Sequence, residues 1–342
     1  MIIRLPYLLF VGSEPIESNA KTAFGLKQWR PEACAAQWRL SENAVDLGLP
    51  NCNPKQAKDI GAQSLLIGVA PIGGQINVDW IAPIVLALKS GLDIVSGMHT
   101  KLESVPEIAA AAAQSGRQLI NVRHPTRAFA CASGVKRTGM RLLMVGTDCA
   151  LGKKYTALAL TNAMTRAGVK ATFRATGQTG LMIAGEGIAI DAIVADFIAG
   201  AAEALSPDNE ADHWDIIEGQ GSLLHPAYAG VSLGLLHGSQ PDVIILCHDP
   251  RRFETEDFPG YKIPDLKSVI DLHLLMGRLT NPNVTCAAIS LNTHGMTAQQ
   301  RIEAIDSTQR RYNLPTFDPL ISELSPIVRA VLFRNSACGD SA

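Results

Sequence analysis

The chain has 342 residues, 47% hydrophobic and 18% charged, a composition that fills more than one packed core and excludes extensive disorder. Thirty Lys and Arg against 32 Asp and Glu leave a formal charge of −2, so no global basic field draws it to nucleic acid or to an anionic membrane. Seven cysteines (Cys34, Cys52, Cys131, Cys149, Cys247, Cys286 and Cys338), odd in number and never spaced C-x-x-C, argue against a zinc knuckle or disulfide framework and for a reducing cytoplasm.

The first apolar run, Leu5 to Val11, is too short for a secretory segment and reads as a buried strand. No stretch reaches the ~20 apolar residues of a membrane span. A strand is predicted from Ser64 to Ala70, a helix from Asp79 to Ser90, a strand from Asp93 to Ser96, a helix from Val105 to Ser115 and a strand from Gln118 to Val122. This alternation implies a parallel sheet with crossover helices. The glycine-rich turn from Gly68 to Gly74 could take a phosphate on its backbone N–H groups. It lacks the G-x-G-x-x-G spacing of dinucleotide binding, and glycines serving a tight turn are the simpler reading. Residues 124 to 139, with Pro125, Gly134 and Gly139, read as an irregular connection, which divides the chain into domains 1–135 and 136–342.

Six strand candidates follow, at Arg141 to Val145, Lys170 to Ala175, Trp214 to Glu218, Asp242 to Cys247, Val284 to Ser290 and Leu314 to Phe317, with helical patterns between them. The fold class is α/β with two domains, the second a doubly wound sheet of the P-loop type. Its anion cradle is the segment from Leu142 to Arg166. An apolar strand runs into Gly146, Thr147, Asp148, Cys149, Ala150, Leu151, Gly152, Lys153 and Lys154, and then into a helix carrying Tyr155 and Thr156. Backbone N–H groups, the helix N-terminus and Lys153 together stabilise a polyphosphate. Compared with G-x-x-x-x-G-K-[ST], Thr147 replaces the first glycine and Lys154 replaces the hydroxyl that would ligate Mg²⁺. Two adjacent lysines can neutralise phosphates without a metal, so no metal is expected; Thr156 could supply a hydroxyl if the loop were shifted. Cys149 sits near the helix N-terminus, where a thiol pKa falls, which opens a route through a covalent intermediate on the cysteine; packing beneath the loop is the competing reading.

Glu218 ends a strand at the carboxyl edge of this sheet, where open α/β sheets bind ligands, and is a candidate general base or Mg²⁺ ligand. His225, just past that edge, is a candidate proton shuttle. His237 and His248 are open to a structural reading. Asp196, before an apolar helical run, is a candidate catalytic acid or a helix cap. Arg174, Gln178, Thr179, Ser222 and Arg251 offer groups for a small anionic substrate, with either arginine suited to a two-pronged carboxylate pair.

The segments GTDCALGKKYTALAL (146–160), RATGQTG (174–180), DAIVADFIAGAAE (191–203) and IEGQGSLLHPAYAGVSLGLLHGSQPD (217–242), with GVAPIGG (68–74) and GLDIVSGMH (91–99), resemble the bacterial D-glutamate N-acetyltransferase-like family. The resemblance covers nearly the whole chain. It implies a Rossmann-like N-terminal domain, a P-loop C-terminal domain, and acetyl transfer from acetyl-CoA to the amino group of a D-amino acid, most of all D-glutamate. A small-molecule substrate is then the partner, with no nucleic acid and no membrane; a homo-oligomer is suggested by the high hydrophobic fraction. The start GTD-x-x-x-GK is also similar to dethiobiotin synthetase, which keeps a Thr where this chain has Lys154. The alternative is a Mg-ATP-dependent kinase or ligase acting on a small carboxylate, with Glu218 on the metal. A nicotinamide-dependent epimerase finds no Tyr-x-x-x-Lys pair in the chain.

Overall fold

The computed structural model describes residues 3–69, 73–125 and 127–339 and, within them, all side chains but those of residues 18 and 334–339. The chain forms two compact units, Met1–Thr126 with Gln178–Ala192, and Arg127–Gly177 with Ile193–Ala342. A division at 135/136 would leave residues 178–192 in the second span, whereas here they belong to the first unit. Long-range polar contacts account for that: the Thr179 and Thr22 hydroxyls lie 2.9 Å apart, and Arg30 donates to the Ile183 carbonyl at 2.8 Å.

In the first unit the order is β1 (Tyr7–Gly12), α1 (Lys21–Trp29), β2 (Cys34–Arg39), α2 (Pro54–Asp59), β3 (Ser64–Ile67), α3 (Val78–Lys89), β4 (Asp93–Ser96), α4 (Pro106–Ser115) and β5 (Leu119–Asn121). The strands form one parallel sheet in the order β2-β1-β3-β4-β5. Every residue of β1 is buried, as parallel strands covered on both faces require. Helix starts follow local chemistry. The Asn53 and Gln56 side chains form a capping box on α2, and Asn77 accepts from the Asp79 N–H on α3. Sequence reading passed over β2, whose CAAQWR run is poor in β-branched residues; its pairing with β1 at the edge of the sheet makes it a strand. Residues 70–72 of the glycine-rich turn lie outside the described residues.

The second unit continues with β6 (Met140–Gly146), α5 (Lys153–Arg166) and β7 (Ala171–Arg174). The chain then passes through α6 (Gln178–Ala184), which counts with the first unit. It resumes with α7 (Ile198–Leu205), β8 (Trp214–Ile217), α8 (Ala229–Ser239), β9 (Val243–His248), α9 (Leu266–Gly277), β10 (Thr285–Leu291), α10 (Ala298–Tyr312), β11 (Thr316–Phe317) and α11 (Ser325–Gly339). The second sheet is parallel, in the order β11-β10-β9-β6-β8-β7. Leu142, Met144, Leu160, Met164, Ile216 and Ile245 build the core beneath it. Among the described residues no helix is long and apolar enough to cross a membrane.

Candidate active site

Strand β6 lies between β8 and β9, with Leu143 opposite Ile217 and Gly146 opposite Cys247. That register delivers three things to one carboxyl edge: the loop after Gly146, Glu218 after β8, and His248 at the end of β9. The chain leaves β6 for the β8 side and later returns on the β9 side, which makes this edge a topological switch point, the place where open α/β sheets hold ligands. The loop is tied to β9 by the Thr147 N–H on the Cys247 carbonyl at 3.1 Å and by the Thr147 hydroxyl 2.9 Å from His248 Nδ1. Burial pushes His248 down to about 4, so its ring is neutral at physiological pH.

Lys153 opens α5 and is 6% exposed, its ammonium donating to the Asp148 carbonyl at 2.7 Å inside the loop. Desolvation lowers its pKa, and an incoming phosphate would reverse that shift. Gly219 makes room for it: a Cβ there would stand 1.7 Å from the Met144 carbonyl and 2.9 Å from Lys153 Cδ. Only glycine passes that closely. Lys154 stacks its ammonium on the Tyr155 ring, 4.6 Å from the centroid. The Thr156 hydroxyl is buried against Ser290 Oγ at 2.8 Å, so in this structure it does not supply the missing metal ligand.

Arg252, which sequence reading missed, organises the loop from outside. Its Nη1 donates to Asp148 Oδ2 at 2.9 Å and to the Cys149 carbonyl at 2.8 Å. Asp148 is fully buried and also accepts from the Cys149 and Glu256 N–H groups at 2.6 and 2.8 Å. The sequence signal for it is the pair Arg251-Arg252 after a strand end, which does not tell the two arginines apart. Arg251 instead closes a two-pronged pair with Asp249, at 3.0 Å from Nε and 2.8 Å from Nη2.

Glu218 is 4% exposed, and its Oε2 accepts from the Thr176 and Gly177 N–H groups at 2.9 and 3.0 Å, which holds the carboxylate in one orientation beneath the end of β7. His225 is 3% exposed, stacked on Tyr228 and edge-on to Phe258. Its Nδ1 accepts from the Ala227 and Tyr228 N–H groups at 3.1 and 3.3 Å, which places the proton of the neutral ring on Nε2. His225 therefore presents a donor, and its lone pair is used by its own turn; as a base it would have to give that turn up. Ser222 is part of the same turn, its hydroxyl accepting from the Leu224 N–H and its carbonyl from the His225 N–H.

A ring nitrogen of His225, Cys149 Sγ and an Asp148 oxygen lie within 4.8 Å of one another, a spacing that could hold a metal ion. Both Asp148 oxygens already accept hydrogen bonds, and Arg252 sets a positive charge on one of them, which opposes a cation there. Burial pushes the Cys149 thiol up, with Lys153 pulling the other way, so the side chain is a thiol at neutral pH, unlike the thiolate that a covalent route needs.

The remaining expected residues have other duties. Arg174 donates to Asp215 at 2.8 Å, and Asp215 also accepts from Ser206, which in turn accepts from the buried Arg141, a structural network under the sheet. Gln178 and Thr179 belong to the first unit: assigned the orientation that satisfies both its ends, the Gln178 amide donates to the Gly97 carbonyl and accepts from Arg123, and Thr179 is buried on Thr22. Asp196 is exposed in a single turn before α7, with no hydrogen bond among the described residues and no capping role. His237 at the end of α8 lies 3.2 Å from the Met276 carbonyl, a structural contact.

Residues 129–328 match the P-loop domain described as domain of unknown function DUF1611, and residues 38–125 match the Rossmann-like domain of the same family. The chain belongs to the DUF1611 family. Two proteins named D-glutamate N-acetyltransferase are similar to it along almost their whole lengths. The one from Tritonibacter scottomollicae is 45% identical over 93% of this chain and 96% of its own. The one from a Pseudoalteromonas species is 43% identical over 96% of this chain and 99% of its own. A crystal structure of a DUF1611 family protein from Anabaena variabilis superposes with a TM-score of 0.87 at 30% identity, covering 96% of this chain and all of that one. This likeness supports an N-acetyltransferase role, and the DUF1611 chain is an enzyme of the transferase class acting on a small molecule.

Proposed function

We propose that the protein transfers acetyl from acetyl-CoA to the amino group of a D-amino acid, D-glutamate first among them, without a metal. The observation that carries the metal-independent reading is the cradle itself. It has a lysine-rich start to α5, the Thr156 hydroxyl buried against Ser290, and a loop braced by Arg252. Coenzyme A carries phosphates that need holding and never react, which suits a cradle of backbone N–H groups with Lys153 and Lys154. The names of the two similar enzymes support D-glutamate as acceptor.

In this reading Glu218, fixed by two backbone N–H groups, takes the proton that keeps the substrate amine from attacking. The amine nitrogen bonds to the thioester carbon, the carbonyl oxygen gains negative charge, and the carbon–sulfur bond then breaks; the nitrogen's second proton leaves as the amide forms, and the departing coenzyme A thiolate takes up a proton to become the thiol. His225 contributes an N–H to that charge development, as donor to the oxyanion or to the departing sulfur. The test is thiol release from acetyl-CoA with a panel of D- and L-amino acids, with and without EDTA. Release with D-glutamate that survives EDTA supports the proposal. Absence of release together with Mg²⁺-dependent ATP consumption would move the protein to the kinase or ligase class.

A further inference from the structure

A second polar cluster lies in the first unit, at the carboxyl edge of its sheet. Ser96 at the end of β4 and Asn121 at the end of β5 are in register, so Gly97 to His99 and Val122 to His124 leave the sheet side by side. Arg123 organises the group. Its Nε donates to the Gly97 carbonyl at 3.1 Å and one Nη to His99 Nε2 and to Asp191 Oδ2, both at 2.8 Å; with the Gln178 amide assigned the orientation that satisfies both its ends, the other Nη donates to its oxygen at 3.2 Å. Gly97 leaves the Gln178 amide its place, because a Cβ there would meet the end of that side chain at 1.9 Å and push it aside.

The leftover groups of this cluster carry the argument. Because Arg123 can only donate, His99 Nε2 is the acceptor and the ring proton sits on Nδ1. Burial and Arg123 both lower the His99 pKa, consistent with a neutral ring. Among the described residues, His99 Nδ1–H donates to nothing, Asp191 Oδ1 accepts nothing, and four named acceptors take only four of the five Arg123 N–H groups. Arg123 is 13% exposed and Asp191 31%, so the pair is held firmly yet open to solvent. What remains is two donors beside one positive charge and one acceptor on a negative charge. An α-amino acid in its zwitterionic form carries the mirror image, a carboxylate and an ammonium on one carbon, and it joins such a pair without adding net charge to the site.

We propose that Arg123, His99 and Asp191 bind the zwitterionic head of an amino acid, with Arg123 and His99 on its carboxylate and Asp191 on its ammonium. The choice of ligand rests on the proposed acetyl acceptor, while the site rests on its own geometry.

The test is calorimetric titration of the full chain with D-glutamate and with glutarate, which lacks the ammonium, each with and without coenzyme A. D-glutamate should bind at least roughly tenfold more tightly than glutarate, and D191N should erase that preference. R123Q should weaken binding on the order of tenfold to a hundredfold. Since R123Q also frees the segment around Asp191 and can unfold it, H99A serves as the second variant; it keeps the ion pair and should still weaken both ligands. Equal affinity of the unaltered protein for the two ligands overturns the proposal, as does unchanged affinity in folded R123Q and H99A, which would leave the pair as a structural clasp. Absence of binding in both arms, while D-glutamate still drives thiol release, also overturns it and leaves the acetyl-transfer reading standing. Binding without thiol release does the reverse.

Discussion

The hydroxyl of Thr156 lies 2.8 Å from that of Ser290, within the core beneath α5. A P-loop enzyme that uses Mg²⁺ needs such a group facing the phosphates, and the position directly after Lys153 that would carry it is Lys154. Thiol release is therefore expected to change by less than about twofold on chelation, and K154A to raise the KM for acetyl-CoA by roughly tenfold with kcat little changed. Steady-state kinetics with and without EDTA check both; a rate restored only by added Mg²⁺ would count against the reading.

Glu218 and His225 should separate by role. E218Q keeps the hydrogen-bonding shape but loses the base, and kcat should fall by roughly 10² to 10⁴ with acetyl-CoA affinity preserved. Replacing His225 by Ala removes a donor, so kcat should fall while the pH–rate profile keeps its acidic limb. Disappearance of that limb in the H225A profile would identify His225 as the titrating base after all.

Arg251 and Arg252 are neighbours in sequence with opposite burdens. Loss of Arg252 leaves the fully buried Asp148 without its cation, and R252Q should cost about 3 kcal/mol of stability. The Arg251–Asp249 pair is half exposed on the arginine side, and R251Q should cost less than about 1 kcal/mol. Urea denaturation of both variants tests the ordering.

Stability should also fall in mild acid. Burial holds both His248 and His273 near a pKa of about 4, against ~6.5 for an unfolded histidine. Between those values the unfolded state binds more protons, so stability declines as pH drops from about 6.5 toward 4 and is insensitive to these groups above that window. Each can contribute up to roughly 1.4 kcal/mol per pH unit. Denaturation at pH 5.0 and 7.5 should show the loss, and H273L, which removes one of the two sites, should make it smaller.

Much of the framework was readable because its signals are local. The strand predicted at Asp93 to Ser96 is β4, and the run predicted at Trp214 to Glu218 is β8 followed by its terminal acid. Apolar runs bounded by glycine or proline need no distant information. The loop between β6 and α5 was legible for the same reason, although α5 begins at Lys153, two residues before the expected Tyr155. Partners far apart in sequence were not legible. Nothing near Arg252 announces that a carboxylate 104 residues earlier will be fully buried and accept from it. Arg174 looks like an anion-binding residue until β8 brings Asp215 beside it. The tautomer of His225 depends on a turn made by the two residues that follow Pro226, a detail of backbone geometry that composition does not carry.

The segment Gln178–Ala192 is encoded within the second unit and folded into the first. The chain thus changes units three times, after residues 126, 177 and 192, and neither unit is a continuous stretch of gene. A cut at any one of these places separates nothing cleanly. A piece ending near residue 126 lacks the partners of Thr22, Arg30 and Arg123, and a piece starting there carries an orphaned α6. A single crossover in the gene therefore exchanges neither unit whole, because either side of the join carries part of the other unit.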